Sequence, residues 1–96
     1  MQDVNQASWI EANIEAIESY LKREFESFSI AHVANKPLTH SFSVTDGKKR
    51  FKLLIPWSLL AEQNFYQRAD ERLSHEQVPA VMRLHGEGGY HWPSNP

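Results

Sequence analysis

The spacing of apolar residues changes period once, near Ser27, and this change constrains the fold more than any other feature of the chain. Before it, Ile10, Ile14, Ile17, Leu21 and Phe25 recur at steps of four and three, with Phe28 next in line. At about 100° per residue these positions fall on one narrow stripe of an α-helix. Ser8 and Glu11 stand at capping-box spacing, so the helix is expected from about Ser8 to about Glu26. Glu11, Glu15, Glu18 and Lys22 cluster on a different face, and Glu18 precedes Lys22 in the favourable order. Trp9 and Tyr20 fall beside the stripe and read as a roof over the core.

After Ser27 the period becomes two. Phe28, Ile30 and His32 alternate with Ser29, Ala31 and Val33, which predicts a strand. Asn35-Lys36-Pro37 reads as a turn, and Thr39–Thr45 alternates again with Phe42 and Val44 on one face. Asp46-Gly47 suits the positive φ angles of a tight hairpin. Lys48–Ile55 returns as a third strand, with Phe51, Leu53 and Ile55 together on one face. Leu53-Leu54-Ile55 is apolar on both sides, so this strand is expected to be the central one.

Pro56 ends the sheet because it cannot donate to a ladder. A helix capped by Ser58 is expected to run through Leu59, Leu60, Phe65, Tyr66, Ala69 and Leu73, with a break near Asn64. Ser74 and Gln77 form a second capping box, followed by a short helix to His85 that tolerates Pro79 in its first turn and stops at Gly86. Residues 87–96 read either as a flexible Gly/Pro-rich tail or as a final short strand through Tyr90 and Trp92. The chain is therefore expected to be a single α+β domain over residues 1–96. A long N-terminal helix packs on a three-stranded antiparallel sheet, and one or two short C-terminal helices follow. Ninety-six residues hold material for one core.

Charge is unevenly placed. Residues 1–26 carry net −4, residues 27–57 net +4 and residues 58–96 net −2. The positive block is chiefly one hairpin, with Lys48, Lys49, Arg50 and Lys52 as candidate binding residues. Alternation puts Lys48, Arg50 and Lys52 in one row on the outer face. Their bland reading is protection of a strand edge against pairing. Their functional reading is contact with phosphates or acidic surfaces. Three contacts are too few for tight nucleic-acid binding at physiological salt, and the overall charge of −2 adds no attraction. Tyr90 and Trp92 are candidate partner anchors if exposed and core residues if the segment folds back.

Catalytic and metal signatures are missing. There is no cysteine, hence no thiolate nucleophile and no disulfide. His85, Glu87 and His91 match no zinc spacing. His32 and His40 lie on adjacent predicted strands, but no nucleophile or carboxylate is positioned with them, so an enzyme using either is the third reading. No cofactor is expected. The start of the chain lacks the charge and apolar stretch of a signal peptide, and no apolar run would span a bilayer, which points to a cytoplasmic location. The leading expectation is a non-catalytic binding or regulatory module acting through a protein partner, or as a homodimer through a sheet edge. Weak nucleic-acid binding by the basic hairpin is the alternative.

Overall fold

The computed structural model describes residues 6–35 and 39–93. Its elements are α1 (Gln6–Glu24), β1 (Ser29–Asn35), β2 (Thr39–Thr45), β3 (Arg50–Pro56), α2 (Trp57–Leu60), α3 (Phe65–His75), α4 (Val78–His85) and β4 (Tyr90–His91), with a single 3-10 turn at Gly86–Gly88. The α+β class and the order of helix, strands and short helices are as expected from the period change. Of the turn expected at Asn35-Lys36-Pro37, Asn35 is the last residue of β1 and residues 36 and 37 lie outside those described.

The first helix buries Ile17, Tyr20 and Leu21, Phe25 just beyond its end is buried with them, and Ile14 packs partly against the same core. Ser8 lies inside α1 rather than ahead of it. The helix ends where Ser27 takes a φ of 74°, turning the chain so that the Phe28 N–H donates to the Phe25 carbonyl at 3.1 Å. Strands β1 and β2 pair antiparallel with His32 opposite Phe42, and β2 and β3 with Phe42 opposite Leu53. This register lines Phe42, Val44, Leu53 and Ile55 on the face that meets the helices, where all four are fully buried.

The expected three-stranded antiparallel sheet is corrected to a four-stranded mixed one, ordered β1-β2-β3-β4. Strand β4 runs parallel to β3, with Tyr90 opposite Leu53 and His91 opposite Leu54, and the Trp92 N–H donates to the Leu54 carbonyl at 2.8 Å. Gly89 makes the approach feasible. Its φ is 88°, and a Cβ there would stand 2.8 Å from Leu54 Cδ1. Residues 87–93 are thus not a free tail: Tyr90 and Trp92 complete the core.

The side-chain caps expected at Ser58 and at Ser74 are also corrected. Helix α2 starts at Trp57 behind Pro56, whose φ of −72° suits a helix entry, and Ser58 lies within it. Ser74 lies inside α3, while Gln77, in the left-handed region at φ 53°, precedes α4 without a side-chain capping bond. Pro79 does sit in the first turn of α4.

The break between α2 and α3 is held by a residue from the first helix. Asn13, fully buried, donates through Nδ2 to the carbonyls of Leu60 at 2.7 Å and Glu62 at 2.8 Å. Its Oδ1 accepts from the Tyr66 N–H at 2.8 Å. One amide thus meets carbonyls freed at the end of α2 and an N–H freed at the start of α3.

Candidate functional site

Three places deserve comparison as sites: the basic hairpin, the histidine pair on β1 and β2, and the outer edge of β1.

At the hairpin, Asp46 Oδ1 accepts from the N–H groups of Lys48 at 2.9 Å and Lys49 at 2.8 Å. These backbone bonds, that of Lys49 foremost, hold the Asp46 carboxyl below its ordinary range. They also draw Lys48 and Lys49 into the turn, so β3 begins at Arg50 and Lys48 does not stand in a strand row with Arg50 and Lys52. Lys48, Lys49 and Arg50 are exposed, whereas Lys52 is half-buried, with Cβ close beside Gly89. The ion pairs found among the described residues, Arg23–Asp70 at 2.6 Å and Arg72–Glu62 at 3.3 Å, involve none of these four.

Tyr90 and Trp92 are not brought near the hairpin cations as an exposed surface. Tyr90 is 6% and Trp92 0% exposed. Trp92 packs against Phe65, receives the Arg72 guanidinium over its ring at 5.7 Å, and donates through Nε1 to Glu76 Oε1 at 3.1 Å. Burial of the ring with its N–H satisfied is the behaviour of a core tryptophan.

His32 and His40 do meet. The register places them diagonally on β1 and β2, on the helix-facing side. His32 Nε2 and His40 Nδ1 are 2.7 Å apart, the ring centroids are 5.0 Å apart and the planes differ by 5°. Centroids that far apart with nitrogens that close place the rings edge to edge in one plane, joined by one hydrogen bond, with one imidazole donating and the other accepting. His32 also lies against Phe42, and the ring of Trp57 is near parallel to that of His40 at 5.9 Å. Burial, and then the neighbouring His32, push the His40 imidazole below its ordinary value. Among the described residues the two rings bond to each other, with no hydroxyl or carboxylate joined to them, so the arrangement is an aromatic–imidazole ladder. Among the described residues no three His, Asp or Glu side chains converge on a point where a metal ion would sit.

The β1 edge is different in character. Among the described residues β1 pairs with β2 alone, leaving its other side at the border of the sheet. Its sequence, Ser-Ile-Ala-His-Val-Ala-Asn, holds no formal charge and no proline. Ala31 is exposed and Val33 is 50% exposed. By contrast β4 reaches only Leu53 and Leu54 of β3, and the part of β3 before them carries Arg50 and Lys52. Charged side chains are a common guard against unwanted strand pairing, and here they stand on β3 and not on β1.

Concave surface of mixed charge also lies along α3. A depression of about 590 Å³ is lined by Arg68, Glu71, Arg72, His75 and Glu76. Leu84 stands 85% exposed as a single apolar side chain, which most protein surfaces carry. Among the described residues no helix is long and apolar enough to cross a membrane. Compared with protein-family models, with curated proteins and with solved structures, the chain matches none.

The role of Asn13 was missed in the sequence, whereas His32 and His40 could be read from it as neighbours on one sheet face. His32 and His40 each lay on a strand, but their contact depends on the register. Asn13 did leave a signal: it is a polar residue placed three after Ile10 and four before Ile17, at the border of the apolar stripe.

Proposed function

We propose that this chain is a small non-catalytic binding module that acts through protein–protein contacts made at the open edge of β1. The observation that carries this reading is the contrast between edges: seven residues of β1 without charge or proline, against Arg50 and Lys52 on the part of β3 that precedes its pairing with β4. An extended segment of a partner added to β1 would satisfy the outward N–H and C=O groups of the strand, and alternate side chains would supply selectivity.

The exposure of Lys48, Lys49 and Arg50, with no ion pair to an acid among the described residues, favours a second reading in which the hairpin meets nucleic acid. It ranks lower because so few phosphate contacts lose most of their affinity at physiological salt.

The test compares the immobilised chain with a Val33→Lys variant in extract from the native cell. The expected result is capture of protein at physiological salt by the parent chain and loss of that capture in the variant. Capture indifferent to Val33→Lys would overturn the reading. So would nucleic acid held at physiological salt and released by the combined Lys48→Glu, Arg50→Glu and Lys52→Glu substitutions, which would establish the second reading instead.

A further inference from the structure

We infer that the occupant of the β1 edge is a second copy of this chain, paired antiparallel so that His32 of each copy lies opposite His32 of the other; this rests on the edge reading above.

Strand β1 runs from Ser29 to Asn35, so its midpoint is His32. When two copies overlap over the full strand in antiparallel sense, Ser29 stands opposite Asn35 of the second copy, Ile30 opposite Ala34 and Ala31 opposite Val33. Polar end meets polar end, apolar position meets apolar position, and no formal charge meets another.

Side-chain alternation agrees with the same register. Residues opposite one another in an antiparallel pair point to the same side of the sheet. Ile30 and His32 lie on the helix-facing side together with Phe42 and Val44, their register partners on β2. Setting His32 against itself keeps the helix-facing sides of both copies on one side of a continuous sheet, ordered β4-β3-β2-β1-β1-β2-β3-β4. A slip of one residue would turn the second copy over, setting its helix-facing side on the opposite face of the sheet. A slip of two would keep the faces but leave strand ends unpaired. The full overlap is the register that meets both conditions. It extends the ladder of His40 and His32 across the two-fold axis, so each copy supplies half of a row of four imidazoles.

Two measurements test this. Light scattering behind size-exclusion chromatography, over a concentration series, is expected to give twice the chain mass of 11.1 kDa at high concentration. The Val33→Lys variant, whose position is half-exposed and whose fold is checked by circular dichroism, is expected to give the single-chain mass throughout. The second measurement uses the lack of native cysteine. Opposed residues of an antiparallel pair have Cα atoms about 4.5–5.5 Å apart, inside the about 4.4–6.8 Å that a disulfide spans. A His32→Cys chain is therefore expected to form a covalent dimer on mild oxidation, and an Ile30→Cys chain to stay uncrosslinked. A parent chain monomeric at every concentration would overturn the inference, and so would a dimer that survives Val33→Lys. Crosslinking at position 30 in preference to position 32 would overturn the register. A monomeric chain that still captures a different protein in a Val33-dependent manner would remove self-pairing and leave the edge reading intact. Indifference of both assays to Val33→Lys would remove both.

Discussion

Asn13 on α1 donates through Nδ2 to the carbonyl of Leu60, 47 residues further along the chain, at 2.7 Å. Together with its bonds to Glu62 and Tyr66, this makes one buried amide the joint between the first helix and the α2–α3 corner. Trp9 reinforces the same corner by donating from Nε1 to the Ala61 carbonyl at 3.1 Å.

Replacing Asn13 should therefore be costly. Each buried polar group left without a partner costs about 1–3 kcal/mol, and Asn13→Leu strands several at once. Urea unfolding should show a loss of about 2–4 kcal/mol on that basis. Asn13→Asp should be worse at neutral pH, since it sets a carboxylate against two carbonyl oxygens, and should recover in part in mild acid as the carboxyl regains a proton. Equal stability of Asn13→Asp and the parent at neutral pH would contradict the assigned bonds.

Leu21 is fully buried, whereas Ile14 packs only partly on the core. Leu21→Ala is expected to cost about 2–5 kcal/mol, and Ile14→Ala clearly less. Chemical denaturation of the two variants side by side checks the ranking, and a reversal would mean that the helix is rotated from its assigned position.

The His40 imidazole titrates below its ordinary value because of burial and, secondarily, because of His32. A lowered folded-state value means that the unfolded chain binds the proton more readily. The associated stability is thus fully present above the ordinary histidine value and is lost as pH falls through the folded-state value. Melting temperature should decline as pH is lowered from neutral into mild acid, and His40→Gln should flatten that decline. Asp46, also lowered, adds a separate loss in stronger acid, below the ordinary carboxylate range. A parent chain that gains stability between neutral and mildly acidic pH would refute the histidine assignment.

Gly47 and Gly89 both hold positive φ, at 94° and 88°, but only Gly89 is also crowded. Gly47→Ala faces open space and should cost about 1–2 kcal/mol for its backbone conformation. Gly89→Ala adds a clash with Leu54 and should cost more, loosening β4 and exposing Trp92. Tryptophan fluorescence and thermal melts of both variants provide the comparison, and a smaller effect at Gly89 would argue against the parallel pairing of β4 with β3.

Local spacing in the sequence was enough to determine α1, the β1–β2–β3 order, the Asp46-Gly47 turn and the burial of Ile17, Leu21, Phe42, Leu53 and Ile55. Each depends on a repeat of 3.6 or two that a few neighbouring residues set between themselves. The tertiary structure alone decided the rest. Tyr90 and Trp92 fitted a tail or a strand equally well. Which they became depended on whether the edge of β3, distant in sequence, was free to receive them and on whether a glycine at position 89 let the chains approach. Asn13 became a joint because the ends of α2 and α3 arrived beside it with unpaired groups. His32 and His40 became partners because antiparallel pairing set them on adjacent strands, two residues apart in register. Such contacts come from the meeting of distant segments, and hydrophobic period carries no record of which segments will meet.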